Sequence, residues 1–352
     1  PPRRCYTIVM TIRFATDDEI NRWDDLVVHN SDRGNMLQGS VFLNLKRLAN
    51  WRPRFIICGE LAIGAIEKYI PLFGKVWYIP KGPGVATASE LASIVPVLRD
   101  FARQQGVFTI KIEPELLRGT DISAIELLPT RPIQYNASTV VVDLHSDLDT
   151  ILKDLPQKGR HAIRRADRDG VVIKRVPVND ETCQAMYDLF KETADGAGFT
   201  IRSPQYYREF YQQYADAGQG QLFFAYYQDQ LVAGAFAVIL GTKSTYKDGA
   251  SVRKRTAYGA SHRLQWEVIK WAKEHGSLEH DLCGTPASDE MSNPNHPRYG
   301  LGRFKTSFNK HITDYIGAFE IPVSPIKSRL WSKYIERLVR RLYFARHHES
   351  YY

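Results

Sequence analysis

The segment "LFFAYYQDQLVAGAFAVILGTKSTYKDGAS" (residues 222–251) decides the fold. Two apolar runs separated by the polar turn Gln228–Gln230 predict a β-hairpin, and the rest of the segment predicts a third strand. Residues 258–276, "YGASHRLQWEVIKWAKEHG", follow with the apolar spacing of a long helix that ends at Gly276. A short strand, residues 277–284, then returns parallel to the sheet, because strand–helix–strand crossovers are right-handed. The segment therefore predicts one α/β unit.

The same order of elements occurs earlier in the chain. Residues 54–84 predict a hairpin and a third strand, residues 87–106 predict a helix, and residues 107–114 predict the returning strand. The repetition predicts an α/β protein with mixed sheets and two tandem domains, residues 1–137 and 138–322.

The tail, residues 323–352, belongs to neither copy. Its apolar residues fall at helical spacing, opposite Lys and Arg: Leu330, Trp331, Tyr334, Ile335, Leu338, Val339, Leu342 and Tyr343. This pattern predicts a helix, and we expect its apolar stripe to dock on the first domain. A helix that lies on a membrane surface is the alternative.

The composition favours a globular protein with polyanionic partners. The chain has 352 residues, long enough for two cores, and a formal net charge of +8. An excess of positive charge favours nucleic acid, phosphorylated substrates or an anionic membrane face. Outside the tail, basic residues concentrate in "KDLPQKGRHAIRRADRDG" (153–170), which contains Lys158, Arg160, Arg164, Arg165 and Arg168.

Targeting signals are absent from the sequence. No apolar run reaches the about 20 residues of a membrane-spanning helix, and the N-terminal "PPRRCYTIVM" lacks the apolar centre of a signal peptide. Cys5, Cys58, Cys183 and Cys283 show no C-x-x-C spacing, which favours reduced thiols over a zinc site. We therefore expect a cytoplasmic monomer, with peripheral contact to the inner face of the membrane left open by the basic tail.

The signatures of covalent and metal-dependent catalysis are also absent. The chain has no G-x-S-x-G, no H-E-x-x-H, no P-loop, and no G-x-G-x-x-G after a predicted strand. Asp281 and Asp289 could form a metal pair, but carboxylates in loops are common, so the sequence favours no metal site. Lone histidines such as His161 and His280 are more typical of structural hydrogen bonding than of a catalytic base.

The order hairpin, strand, open loop, helix, strand resembles the core of GNAT acyltransferases. In acetyltransferases of that fold, an Arg/Gln-x-x-Gly-x-Gly/Ala loop and the following helix N-terminus hold the coenzyme A pyrophosphate. The matching stretches here, "KGPGVAT" (81–87) and "RTAYGAS" (255–261), do not keep this spacing, and Thr256 stands where Arg would be. We expect two GNAT-like domains that use another acyl donor and no cofactor.

Four segments, in this order, resemble the Fem family of peptidoglycan interpeptide-bridge aminoacyltransferases. They are "MLQGSVFLNLK" (36–46), "LPQKGRHAIRRADRDGVVI" (155–173), "IKWAKEHGSLEHDLCG" (269–284) and "GLGRFKTSFN" (300–309). The second domain has no insertion long enough for the coiled-coil arm of larger members, so the chain resembles the compact type. The resemblance implies that an amino acid passes from aminoacyl-tRNA to the stem-peptide amine of UDP-N-acetylmuramoyl-pentapeptide or its lipid-linked form.

The resemblance also implies roles for individual residues. Lys305 is expected to stabilise the oxyanion, from a strand that begins near Phe304 after Gly300 and Gly302 turn the chain. Phe304 is expected beside the acyl group or the terminal adenine, or else in the core. The residues expected to bind the acceptor are Lys46 and Arg202, at the UDP diphosphate, and Tyr206 and Tyr246, along the stem peptide. The residues expected to contact tRNA are Lys158, Arg160, Arg164, Arg165 and Arg168.

Two acidic residues depart from the family pattern. Glu113 stands in Ile-Glu-Pro where the family often has Ile-Asp-Pro, and Asp248 stands where it often has an aromatic residue. Either carboxylate could receive the proton of the attacking ammonium. The same departures leave open a small-molecule acceptor, as in antibiotic pathways. A non-catalytic module that binds RNA or a membrane surface is the third alternative.

We expect the protein not to bind coenzyme A, because neither loop carries the pyrophosphate-binding pattern. Titration calorimetry with acetyl-coenzyme A should give no saturable heat under conditions that saturate a GNAT acetyltransferase used as a positive control. Saturable binding would contradict the assignment of a different acyl donor.

Overall fold

A computed structural model describes residues 10–134, 137–197, 201–252, 257–347 and 351–352. Cys5, and Arg255 and Thr256 of the second loop compared with GNAT enzymes, lie outside these ranges. The strands are β1 (Ile12–Phe14), β2 (Arg52–Cys58), β3 (Leu61–Ile70), β4 (Gly74–Ile79), β5 (Val107–Ile112), β6 (Leu128–Thr130), β7 (Ser138–Thr139), β8 (Val141–Asp143), β9 (Val172–Val176), β10 (Gly220–Tyr227), β11 (Gln230–Leu240), β12 (Lys243–Ser251), β13 (Glu279–Asp281), β14 (Thr313–Asp314) and β15 (Ala318–Pro322). The α-helices are α1 (Asp17–Asn21), α2 (Trp23–Val28), α3 (Ser40–Leu45), α4 (Ala88–Gln104), α5 (Leu148–Asp154), α6 (Gln157–Arg168), α7 (Asp180–Ala197), α8 (Pro204–Asp216), α9 (Ala260–Glu274), α10 (Tyr299–Lys305), α11 (Pro325–Leu330) and α12 (Glu336–His347).

The described residues divide into two compact units. The first lies within Pro1–Pro132 and Ile316–Arg337, and the second lies within Ile133–Tyr315 and Leu338–Tyr352. Each contains the predicted repeat. In the first unit, the hairpin β2–β3, strand β4 and helix α4 lead to β5, which is parallel to β4. In the second, the hairpin β10–β11, strand β12 and helix α9 lead to β13, which is parallel to β12. The predicted α/β class with two GNAT-like repeats is confirmed.

The sheet of the first unit, in the described ranges, has the order β1-β2-β3-β4-β5-β15-β6. Helix α4 begins with a capping box, because the Thr87 side chain accepts a hydrogen bond from the Glu90 N–H and the Glu90 carboxylate accepts one from the Thr87 N–H. Leu91 and Leu98 of this helix are fully buried in one core with Trp77 of β4. Ile110 and Ile112 of β5 belong to the same core, so the packing also holds the carboxyl end of β5. Glu113 is the next residue in the chain.

The C-terminal end of the second predicted domain belongs to the first unit. The sequence places residues up to 322 in that domain, whereas β15 (Ala318–Pro322) is part of the first unit's sheet. Every residue of β5 is buried, so the edge of β5 that faces away from β4 must find a hydrogen-bonding partner within the protein. Strand β15 supplies it by antiparallel pairing. The division between the units also falls after Pro132 instead of after Ala137.

The tail forms one continuous helix made of α11, a π-helical turn (Trp331–Ile335) and α12. The Trp331 side chain is fully buried, and its ring centroid lies 5.9 Å from that of Phe108 and 6.0 Å from that of Phe73, both in the first unit. Leu338 and Leu342 are instead exposed. The expectation that the whole apolar stripe docks is therefore wrong, since Trp331 points inward and much of the remaining stripe faces solvent.

The sheet of the second unit, among the residues described, has the order β8-β13-β12-β11-β10-β9. Helix α9 covers it and buries Val268, Ile269 and Trp271 in one core with Phe223 and Ala235 of the sheet. Between β9 and β10 lie α7 and α8, of 18 and 13 residues, which agrees with the compact type expected from the sequence. Along the described part of the chain, no helix has the length and apolarity needed to cross a membrane.

A buried ion network joins the tail helix to the first unit's sheet. The Lys111 ammonium of β5 lies 2.8 Å from a carboxylate oxygen of Glu320 in β15 and 2.8 Å from one of Glu336 in α12. All three side chains are less than a tenth exposed. Ser332 also donates a hydrogen bond to Glu320. The network fixes the orientation of the tail helix, because an unpaired charge buried here would be costly.

Replacing the central cation of this network should destabilise the protein strongly. We expect Lys111→Met to lower the free energy of unfolding by about 3–5 kcal/mol, because two buried carboxylates lose their partner. The matched control is Arg103→Met, which removes a cation from an exposed pair with Asp100 and should cost less than about 1 kcal/mol. Chemical denaturation measures both, and equal losses would contradict the importance of the buried network.

Candidate active site

Lys305 is the last residue of helix α10, and its side chain is buried. The predicted strand near Phe304 is therefore wrong, and the predicted tight turn at Gly300 and Gly302 is absent because both glycines lie inside α10. Gly302 is favoured by packing instead, because a Cβ added at this position would lie 2.6 Å from the sulfur of Met291. The helix ends with the Lys305 ammonium donating two hydrogen bonds of 2.9 Å, to the backbone carbonyls of Cys283 and Gly284.

The loop after β13 aims these carbonyls at Lys305. Asp281, at the end of β13, accepts hydrogen bonds from the Cys283 N–H at 2.6 Å and from the Thr139 hydroxyl. Cys283 has a φ of +59°, in the left-handed region that non-glycine residues seldom adopt. Asp281, considered above for a metal pair, thus holds a tight turn whose carbonyl oxygens meet the lysine.

Burial changes the protonation of Lys305. Removal from water lowers the pKa of the ammonium to about 8, while Cys283 and Asp281 act to raise it and Arg298 acts to lower it. The side chain is therefore mostly charged at neutral pH, yet it can lose its proton within an accessible pH range. A lysine with this property is poised to act as an electrostatic group whose charge depends on pH.

Phe304 forms an aromatic wall with two neighbours. Its ring centroid lies 4.9 Å from that of His262 and 5.4 Å from that of Phe308, in edge-on contacts. Burial, with a further contribution from the charge of Lys158, lowers the pKa of His262 to about 4, so this imidazole is neutral at physiological pH. Sequence reasoning missed His262, which lies in the first turn of α9 and belongs to no motif. Phe304 is half-buried and packs against the core, which agrees with the alternative expectation that this residue lies in the core.

Tyr246 and Asp248 both lie on strand β12, and Tyr246 packs against the same core as Phe304. Burial, the charge of Asp248 and Cys283 together raise the pKa of Tyr246. Asp248 accepts hydrogen bonds from Lys247 at 3.0 Å and from the Tyr211 hydroxyl at 3.2 Å. Burial acts to lower the pKa of Lys247, but the charges of Asp248, Tyr206 and Tyr207 and the hydrogen bond to Asp248 together outweigh burial and raise the pKa. These two hydrogen bonds fix the position of the Asp248 carboxylate.

Arg202 and Tyr206 lie at the start of α8. The Arg202 guanidinium stacks over the Tyr206 ring at 4.3 Å from its centroid and donates a hydrogen bond of 3.1 Å to the Tyr352 carbonyl. The Tyr206 ring centroid lies 5.7 Å from that of Tyr207, the Tyr207 centroid lies 6.0 Å from that of Tyr211, and the Tyr211 hydroxyl donates to Asp248. In the second unit, these contacts connect Arg202 and Tyr206 with Asp248.

The basic helix α6 lies beside α10, but its cations differ in their environments. Lys158 lines an open cleft of about 810 Å³ together with Arg303, Lys310 and His311. Arg164 and Arg168 are exposed. Two others have structural partners. Arg160 donates to the carbonyls of Lys153 and Leu155 near the end of α5, and Arg165 lies 3.4 Å from Asp169 and 4.5 Å from the centre of the Tyr258 ring.

Two glycines set the position of α6. A Cβ added at Gly159 would lie 2.0 Å from the backbone carbonyl oxygen of Ser307, two residues after Lys305. A Cβ added at Gly259, before α9, would lie 2.2 Å from the carbonyl oxygen of Ala162. Backbone therefore packs directly on backbone at both places, and α6 is held against the candidate site.

The two predicted site residues of the first unit are both buried. The Lys46 ammonium lies 4.9 Å from the centre of the Phe42 ring. Glu113 accepts a hydrogen bond of 2.6 Å from the Tyr78 hydroxyl. In the quoted segment that contains Lys46, Gln38 has a structural role, because its amide donates to the carbonyls of Gly64 and Pro80. Among the described residues, no group of three or more His, Cys, Asp or Glu could hold a metal ion.

Both units carry the GNAT-like order of hairpin, strand, helix and parallel strand. The FemAB family model matches residues 130–227 and 219–334. The chain belongs to the FemAB family, so the predicted Fem resemblance is confirmed.

Individual relatives agree with this assignment. The chain is 20% identical over 402 aligned residues to a lipid II:glycine glycyltransferase of Staphylococcus epidermidis, with 91% of this chain and 95% of that protein covered. It is 21% identical over 391 aligned residues to the enzyme of the same name in Staphylococcus aureus, with 85% and 91% covered. The crystal structure of FemX superposes with a TM-score of 0.79 at 19% identity, over 93% of this chain and all of that one. The fold is thus shared over nearly the whole length.

The close contact at Gly159 gives a test of how the site is assembled. We expect Gly159→Ala to lower the free energy of unfolding by about 1–3 kcal/mol, because the new methyl group overlaps the Ser307 carbonyl and displaces α6. The matched control is Gly300→Ala, also within a helix but with open space around the added Cβ, which should be neutral or stabilising by up to about 1 kcal/mol. Thermal and chemical unfolding measure both. A neutral Gly159→Ala would contradict the backbone contact.

Proposed function

We propose that the protein transfers an amino acid from aminoacyl-tRNA to the side-chain amine of a peptidoglycan-precursor stem peptide, forming a peptide bond. The amine nitrogen attacks the ester carbonyl carbon, the carbonyl oxygen becomes an oxyanion, and the ester C–O bond then breaks. The amine loses a proton and the ribose hydroxyl of the tRNA gains one. The ester is already activated, so positioning and charge stabilisation suffice without a covalent nucleophile.

The observation that carries this proposal is the hydrogen bonding of Lys305. An ammonium has three N–H donors, and two of them bond the carbonyls of Cys283 and Gly284. The third can donate to the developing oxyanion, while the two fixed bonds hold the nitrogen in place. A preorganised donor in a buried site gains more from a new negative charge than a mobile surface lysine does. Phe304 and neutral His262 would then form an apolar side of the acyl pocket.

The remaining site residues are proposed to position the acceptor. Lys46 and Arg202 are proposed to bind the nucleotide diphosphate, and Tyr206 and Tyr246 to contact the stem peptide. Asp248 or Glu113 is proposed to receive the proton of the attacking ammonium. The hydrogen bonds that Asp248 accepts from Lys247 and Tyr211 hold its carboxylate in one place, which suits a proton acceptor of fixed position.

The basic helix is proposed to hold the tRNA. Lys158, Arg303 and Lys310 line one cleft, and the wall of this cleft includes the two residues that follow Lys305. Phosphates of the tRNA acceptor arm could therefore bind in the cleft while the aminoacyl ester reaches Lys305. The exposed Arg164 and Arg168 extend this surface along α6. Arg160 and Arg165, which have structural partners, are expected to contribute less than the sequence alone suggests.

Transfer of label from charged tRNA tests the proposal. The protein is incubated with radiolabelled glycyl-tRNA first, because the relatives described above are named as glycyltransferases, and then with other charged tRNAs. UDP-N-acetylmuramoyl-pentapeptide, its lipid-linked form and a no-acceptor blank are compared. Label should move to one precursor and be abolished by ribonuclease treatment of the donor. Absence of transfer from every charged tRNA to either precursor would overturn the proposal.

Lys305 variants test the mechanism. We expect Lys305→Ala to slow transfer by about a hundredfold, the scale of losing one oxyanion-stabilising group. Lys305→Arg should restore part of the rate. Since the pKa of Lys305 is lowered to about 8, the wild-type ammonium loses its proton as the pH rises through 8, whereas a guanidinium stays charged. The ratio of the wild-type rate to the Lys305→Arg rate should therefore fall between pH 7 and pH 9.

The matched control for this series is Lys273→Ala. Lys273 also donates to two backbone carbonyls in the second unit, those of Leu144 and His145, but it does so next to the opposite end of β13. Its loss should affect stability without a selective effect on transfer. Equal rate losses in Lys305→Ala and Lys273→Ala, or a pH-independent ratio, would show that Lys305 acts structurally.

A further inference from the structure

The tail helix exposes a regular row of large apolar side chains. Each fourth residue from 326 to 342 is apolar and open to solvent. Their exposed fractions are Ile326 76%, Leu330 45%, Tyr334 60%, Leu338 55% and Leu342 61%. Single exposed apolar residues are common on protein surfaces, but a row of five on one helix marks an interaction surface. We call these five residues the apolar row.

The π-helical turn keeps this row on one face. In a regular α-helix, each residue turns by about 100°, so five residues spaced by four would drift by about 160° around the axis. The π-helical turn Trp331–Ile335 adds about one residue to a single turn and thus removes about 100° of this drift. About 60° remains, and the row runs nearly parallel to the helix axis.

The opposite face of the helix is anchored, which holds the apolar row outward. Trp331 is buried against Phe73 and Phe108, and the buried Ser328 donates a hydrogen bond of 2.8 Å to the Phe108 carbonyl. Glu336 is buried at Lys111. The helix therefore cannot rotate to cover the row without breaking these contacts.

The charge around the row has a single sign. Residues 325–347 contain seven Lys and Arg residues: Lys327, Arg329, Lys333, Arg337, Arg340, Arg341 and Arg346. All except the half-buried Arg340 are exposed. Glu336 is the one acidic residue in this sequence segment, and its carboxylate is occupied by Lys111. The apolar row is thus bordered by cations, and the carboxylate of Glu336 points inward. Such a face complements a surface that has an apolar interior and anionic groups at its boundary.

We propose that this helix face binds the surface of an anionic phospholipid bilayer. The helix would lie in the plane of the membrane, with the apolar row among the acyl chains and the flanking cations at the lipid phosphates. Leu72, 93% exposed at the tip of the β3–β4 turn, is placed to add to the contact, because the neighbouring Phe73 carbonyl accepts a hydrogen bond from Lys327. A second copy of the chain is disfavoured as the occupant, since two such faces would repel one another. The proposal does not depend on the transfer reaction.

Vesicle sedimentation tests this surface without any measurement of activity. The probes are vesicles of equimolar phosphatidylglycerol and phosphatidylcholine, compared with vesicles of phosphatidylcholine alone. The wild-type protein should sediment with the anionic vesicles and much less with the neutral ones. Leu338→Ser/Leu342→Ser should lower the partition coefficient about tenfold or more. Arg337→Gln/Arg341→Gln should lower it by a similar factor at low salt and by less at high salt, where charge is screened.

The matched control is Leu48→Ser/Leu117→Ser, which changes two leucines that are 57% and 58% exposed outside the tail helix. Its partition coefficient should equal that of the wild type. Circular dichroism confirms that each variant is folded. The proposal is overturned if the wild type binds neither vesicle, or if the control and the row variants lose binding equally. It is also overturned if ultracentrifugation shows a dimer that Leu338→Ser/Leu342→Ser dissociates, because the occupant would then be a second copy.

Discussion

Two hydrogen bonds from one buried ammonium, from Lys305 to the carbonyls of Cys283 and Gly284, determine the geometry of the candidate site. They join the end of α10 to the loop after β13, and that loop depends on the carboxylate of Asp281 and on the left-handed backbone of Cys283. Strand β13 in turn lies between β8 and β12. The position of the Lys305 ammonium is thus determined by the second unit's sheet and not by a flexible side chain alone.

The repeated fold could be predicted from the sequence because its signals are local. A polar turn between apolar runs marks each hairpin, and the long helices end before Gly106 and Gly276, which both have positive φ. Thr87 and Glu90 provide a capping box at the start of α4. The role assigned to Phe304 and Lys305 rests on a segment that resembles the family, and it stays a prediction. Each of these features depends on residues that are close in sequence.

Other features depend on contacts that are distant in sequence. A segment with two glycines has weak helix propensity, so α10 is stabilised by packing such as that of Gly302 on Met291. The neutral state of His262 follows from burial and from the charge of Lys158, which no pattern around residue 262 records. The apolar residues of the tail were recognised, but their periodicity alone does not show that Trp331 faces inward while Leu338 faces solvent. Tertiary packing decides each of these cases.

The return of the chain to its first sheet has a consequence for synthesis. Strand β15 pairs with β5, although residues 133–315 of the second unit lie between them in the chain. As the polypeptide leaves the ribosome, the edge of β5 therefore stays unpaired while residues 133–315 emerge. An open edge can pair with another nascent chain. Strands β7 and β14, near the two ends of residues 133–315, pair with each other, so early folding of this segment would shorten the time for which the edge of β5 is exposed.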